Sequence, residues 1–89
     1  GTEARRPALC LVRGLRSVEE LYRSGERNTK VLRRALVSEI EPIPGVEMEY
    51  AVIVNRESLV PVERVDCPAL AAVAARVEGT RRIDNCLLS

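Results

Sequence analysis

The chain has 89 residues, a formal net charge of +1, 46% hydrophobic residues and 30% charged residues. That balance describes one small globular domain with a modest core rather than a disordered segment; no apolar run is long enough to span a membrane, and the near-neutral charge gives no electrostatic reason to bind nucleic acid. Histidine, Trp and Phe are absent and Tyr22 and Tyr50 are the only aromatics, which excludes His-based acid–base chemistry, His metal ligation and aromatic base-stacking platforms.

Thr2 is the expected N-cap of a first helix over about residues 3–24, with Glu3 in its first turn where the dipole favours an anion. Pro7 fits only within that first turn, or where the helix truly begins. Ala8, Leu11, Val12, Leu15, Val18 and Tyr22 recur at three and four residues and define an apolar stripe, widened by Leu21. Gly14 lies inside the helix and weakens it by about 1 kcal/mol relative to Ala. Gly25 is a natural stop. Asn28 caps a second helix over about 28–41, with Val31, Leu32, Ala35, Leu36 and Ile40 as its apolar stripe. Arg27, Lys30, Arg33 and Arg34 crowd its first half. Pro42 ends it near Glu41, because the residue before a proline is pushed out of the α region.

Val46–Val54 reads as the first strand. Glu47 and Glu49 alternate with Met48 and Tyr50, so its start has one wet face. Ala51 to Val54 is apolar throughout and implies cover on both faces. Asn55–Ser58 is a polar turn, and Pro61 confines residues 59–62 to an edge. Ala69–Val77 and Arg81–Leu88 form a hairpin joined by Glu78, Gly79 and Thr80. The first arm is apolar on both faces, the pattern of a central strand covered on both sides. The fold class is α+β, with two N-terminal helices packed on a three-stranded antiparallel β-sheet.

The hairpin words A-A-V-A-A-R-V-x-G-T-R-x-I-D-N resemble the C-terminal end of the pantoate–β-alanine ligases. G-E-R-N at 25–28, G-V-E-M-E-Y at 45–50 and L-V-P-V at 59–62 resemble further segments of that family, in order, over nearly the whole chain. Two residues depart from its pattern: Glu78 stands where a second glycine is common, and Arg82 where an aliphatic residue is frequent. The resemblance implies the second domain of a two-domain enzyme. That family joins pantoate to β-alanine at the expense of ATP through a pantoyl adenylate, releasing AMP and pyrophosphate, with Mg2+ required by the full-length enzyme. The larger Rossmann-like first domain carries a histidine-containing nucleotide signature, which a histidine-free chain lacks. The chain is therefore expected to act as a hinged lid, with its hinge before Thr2. It is expected to be inactive and ligand-free alone, monomeric where the full-length enzyme is a homodimer, and cytoplasmic.

Candidate chemistry read from the residues themselves is sparse. Arg76, Arg81 and Arg82 flank the hairpin turn, and arginine forks suit carboxylates and phosphates. They are the substrate- or nucleotide-proximal candidates, set against ordinary strand-end charge paired with Asp84 or Glu78. Gly79-Thr80-Arg81 lacks phosphate-loop spacing. Asp84 and Asn85 are polar residues within an apolar run and need partners if buried. The Arg27–Arg34 run is either a solvated helix face or a surface that steers nucleotides. Residues 1–45 hold nine Lys/Arg against six Asp/Glu, and residues 46–89 hold five against seven, a mild asymmetry. Cys10, Cys67 and Cys86 are widely spaced without C-x-x-C, which suggests neither a zinc site nor a redox pair. Reduced thiols are expected, with Cys10 and Cys86 as packing residues. No catalytic or metal-binding residue is identified. The alternative functions are a free-standing protein-interaction module and, against the charge balance, a nucleic-acid binder.

Overall fold

The computed structural model describes residues 7–89. The expected Thr2 cap and Glu3 lie outside the described residues. Pro7–Leu9 form a 3-10 turn that leads into α1, Cys10–Arg23. Pro7 has no N–H to place in an α-helical ladder, so a tight turn ahead of the helix suits it.

The buried side of α1 is Cys10, Leu11, Gly14, Leu15 and Val18. Val12, expected in the stripe, is instead 42% exposed. The seam runs along Leu11, Leu15 and Val18, and Cys10 and Gly14 occupy its flank. Gly14 is there because the next helix crosses close by: a Cβ on it would stand 2.7 Å from Leu36 Cδ1 and 3.1 Å from the Leu36 carbonyl oxygen. Gly25, at φ 113°, ends α1. Its N–H donates to the Tyr22 carbonyl at 3.1 Å, and that of Glu26 donates to the Leu21 carbonyl at 2.9 Å. This pair of hydrogen bonds is the Schellman closure of a helix end.

α2 spans Thr29–Ile40. The Asn28 side chain accepts the Lys30 N–H at 2.9 Å, as its cap role requires. Leu32, Leu36 and Ile40 are fully buried, at the i, i+4, i+8 spacing of one helix face.

Three strands follow: β1, Val46–Asn55; β2, Ala69–Val77; and β3, Thr80–Leu88. They form one antiparallel sheet in the order β1-β2-β3, with β2 central. The hairpin turn is tighter than the expected three-residue connection. Only Glu78 and Gly79 lie between the strands, at φ 50° and 85°. Positive φ at both positions marks the mirror-image turn whose twist suits a two-residue hairpin. The Glu78 N–H donates to the Gly45 carbonyl at 2.8 Å, tying the turn to the start of β1.

Pairing in β1 slips between Met48 and Tyr50, where Glu49 is the extra residue of a bulge. The expected alternation therefore breaks: Met48 packs against the core, while Tyr50 emerges 38% exposed. Residues 59–62 sit at the β1 edge, with a bridge between Val54 and Pro61. Thr29 Oγ1 donates to the Val62 and Glu63 carbonyls at 2.8 and 2.9 Å, which fastens this loop to the start of α2.

One core unites the helices with one face of the sheet. Leu32, Leu36, Ile40, Val18, Val73 and Leu88 are its largest fully buried side chains. The expectation that β2 and the end of β1 are covered on both faces is met by the helices on one face; on the other, Ala74 and Val54 are buried without a second layer of secondary structure. The helices lie on the side of Ala51, Ile53, Ala71, Val73 and Ala75. Across the other face, Val52, Leu70 and Ala72 are half-buried, and Ile83 and Leu87 are 55% and 44% exposed.

Candidate functional site

The hairpin arginines sort by strand parity. Arg76 is directly opposite Arg81 in the β2–β3 register. Like charges in that position repel. Glu49 relieves the repulsion, because the bulge turns its carboxylate between them. Arg81 Nε donates to Glu49 Oε1 at 2.7 Å, and Arg76 Nε stands 3.8 Å from Oε2. The Glu49 hydrogen bond, and then its charge, push the Arg81 guanidinium above its ordinary pKa. Glu47 is the register partner of Arg76, so two arginines meet two carboxylates on the uncovered face. Arg82 is not part of this group. It is opposite Ala75, which is buried under the helices, and so leaves from the other face of β3.

Glu49 is the residue that sequence reading missed. Asp84 and Glu78 were the expected partners, yet neither pairs with these arginines in the described ion pairs. The one available signal was the step of three between the core-facing Met48 and Ala51, which only a bulge accommodates.

The other candidates resolve simply. Gly79 and Thr80 make the turn and the first residue of β3. Asp84 is half-buried and Asn85 exposed, because β3 is an edge strand. The Asp84 carboxylate accepts the Asn85 N–H at 2.8 Å. Cys10 and Cys86 pack in and around the core. Burial, and then the charges of Glu19 and Asp84, push the Cys86 thiol up to about 11. Burial also raises Cys10. Both thiols are thus neutral and unreactive near neutral pH. All three cysteines are free, and Cys67 is exposed.

The basic run on α2 borders shallow clefts, two of them of about 360 Å³ each. One lies among Asn28, Thr29, Lys30, Glu63 and Arg64, the other among Lys30, Arg33, Arg34, Val37, Ser38 and Glu41. Two of the cations there are already used. Arg33 Nε donates to the Ala51 carbonyl at 2.7 Å, and Arg64 pairs with Asp66 at 3.0 Å. Arg27, nearby, stacks 3.9 Å from the Tyr22 ring centroid. Among the described residues, no group of three or more His, Cys, Asp or Glu side chains is placed to hold a metal ion. No described helix is long and apolar enough to cross a membrane. Neither cleft brings a nucleophile together with a base.

The whole chain has a clear kinship. The family model described as Pantoate-beta-alanine ligase matches residues 1–87. This chain belongs to the pantoate-beta-alanine ligase family. The pantothenate synthetase of Pseudothermotoga lettingae is 40% identical over 87 residues, which cover 98% of this chain and 31% of that protein. That of Acidobacterium capsulatum is 46% identical over 86 residues, covering 97% of this chain and 29% of the relative. Among solved structures, pantothenate synthetase from Thermus thermophilus superposes with a TM-score of 0.82 at 29% identity, over 97% of this chain and 31% of that one. The chain therefore spans about 31% of the length of such relatives. Its two helices on a three-stranded antiparallel sheet are the α+β arrangement expected from the sequence.

Proposed function

We propose that this chain is the C-terminal lid domain of an ATP-dependent ligase that condenses pantoate with β-alanine to make pantothenate. The observation that carries this reading is a family match over residues 1–87 in a chain one third the length of its relatives. In this reading the pantoate carboxylate attacks the α-phosphorus of ATP and expels pyrophosphate. The β-alanine amine then attacks the acyl carbon of the pantoyl adenylate and expels AMP.

The contribution of this domain is closure. An adenylate is easily hydrolysed, and a closing body that excludes water protects it and strengthens the electrostatics around it. A rigid body is needed for that, and the tied turn, the anchored 59–66 loop and the close α1–α2 crossing supply one. Arg76 and Arg81 are the pair we assign to the nucleotide side, since they share one face and one carboxylate. Arg82 leaves from the other face and is left out. The described residues offer no donor set for a metal ion, so Mg2+ accompanying ATP is assigned no ligand here. The remaining partner is a larger N-terminal nucleotide-binding domain, through which the full-length cytoplasmic enzyme dimerises, while this chain alone is a monomer without activity.

The test is AMP release from ATP, pantoate and β-alanine. It compares this chain alone, the remainder of the enzyme alone, the two mixed, and the covalent whole. Turnover in the whole, with little in either part, supports the lid. Turnover by the remainder alone equal to that of the whole removes it, and turnover by this chain alone overturns the account. A second reading, a free-standing interaction module, draws on the bare sheet face and expects partner capture with no ligase activity in the whole.

A further inference from the structure

The two helices treat their charges differently. On α1, Arg16 has Glu20 four residues on, and Glu19 has Arg23, the spacing at which opposite charges meet on a helix. On α2 the residue four beyond Lys30 is Arg34, and Arg33 has Thr29 and Val37 at those distances. Like charges one turn apart repel, and cations in the first half of a helix oppose its dipole. Among the described residues, no carboxylate pairs with Lys30, Arg33 or Arg34. A helix face that is merely solvated has no need of this arrangement, and a bound anion relieves both of its costs.

The surrounding shape suits an anion with some length. Lys30 lines three adjoining clefts, and Arg33 lines two of them. The third cleft, of about 230 Å³, passes Val52, Pro61 and Val62 beside the β1 edge. Arg33 is anchored there through Nε on the Ala51 carbonyl. Its two terminal amino groups have no partner among the described residues. The N–H groups that open α2 take no part, since that of Thr29 donates to the Glu63 carbonyl and that of Lys30 to the Asn28 side chain. Recognition therefore falls to the three side chains. Arginine forks present paired donors to phosphate oxygens, and a lysine adds a point charge.

We infer that Lys30, Arg33 and Arg34 form a binding site for a diphosphate group, either free or as an ester whose organic part extends over Val52, Pro61 and Val62. Two linked phosphates carry enough charge to meet three cations along one helical turn, about 5.4 Å of rise. A single phosphate meets fewer of them. The site lies on the helix side of the domain, away from Arg76 and Arg81 on the uncovered sheet face. It does not rest on the lid reading, and it departs from the expectation that the chain alone holds no ligand.

The test is an NMR titration of this chain, without Mg2+ and at fixed ionic strength. The probes are inorganic pyrophosphate, ADP, AMP and inorganic phosphate. Amide shifts locate the binding and show that each variant is folded. Pyrophosphate should move the amides of residues 29–41 with a Kd of about 1 mM, the strength that three exposed charge contacts supply. Phosphate and AMP should bind more weakly by about threefold or more, and K30Q and R34Q should each weaken pyrophosphate by a similar factor. R82Q removes the same charge from the exposed β3 strand and should change nothing. ADP binding more tightly than pyrophosphate assigns the site to diphosphate esters, and equal or weaker binding assigns it to the free anion; both support a diphosphate site. Phosphate binding as tightly as pyrophosphate overturns the inference. So does an equal loss in R82Q and K30Q, which means attraction to net charge alone, or the absence of shifts on α2.

Discussion

The two faces of the β-sheet are made from similar residues and have different fates. On the helix side, Val73, Ala71 and Ala75 are fully buried beneath α1 and α2. On the opposite side, Ile83 and Leu87 stay open to solvent at 55% and 44%. The first face holds this domain together. Ile83 and Leu87 on the second do little for it, since a side chain that stays wet contributes little hydrophobic stabilisation, while Ala74 and Val54 there are buried. Exposed apolar side chains grouped on one sheet face mark that face, and not the helix side, as the surface available for contact.

Substitutions that strike the helix side should be the most damaging. Leu36→Ala empties a fully buried site, and urea denaturation should show a loss of about 2–5 kcal/mol. Gly14→Ala should follow, at about 1–3 kcal/mol. The added methyl meets both a buried side chain and the backbone oxygen of Leu36, and overpacking of that kind outweighs the propensity gain of about 1 kcal/mol. Between the faces, at the turn, the sign reverses. Glu78 holds φ 50° without being glycine. Glu78→Asn makes the Asn-Gly pair this turn favours and should raise stability by up to about 1 kcal/mol.

The smallest effect concerns pH. The Cys86 thiol, on the helix-facing side of β3, is pushed up to about 11 from 9.0, so the fold prefers its neutral form. The unfolded chain loses this proton first. The contribution is therefore fully present below pH 9 and is lost as pH rises through 11. Thermal unfolding of wild type and Cys86→Ala across that window should show a steeper alkaline decline in wild type.

Most of the helix side was legible from sequence, because periodicity reports burial directly. Leu32, Leu36 and Ile40 lie where the three-and-four spacing puts them, and Asn28 and Gly25 are the expected cap and stop. Val12 fell outside because two adjacent stripes compete on α1, and the crossing at Gly14 decides between them. The Glu49 pairing was not legible, since a bulge changes parity without changing composition. Arg82 was grouped with Arg76 and Arg81 by sequence proximity, but strand alternation sends it to the other face. The central place of β2 is the one its two-sided apolar pattern implies; a layer of helices covers one side, and on the other only Ala74 of β2 is fully buried.

The most direct test is Ile83→Ser, measured twice. In this chain the account predicts a stability change within about 0.5 kcal/mol, because the site is open. In the full-length enzyme it predicts a drop of about tenfold in AMP release, as closure over the reacting groups weakens. A substitution that unfolds this chain, or one that leaves the turnover of the whole enzyme untouched, would contradict it.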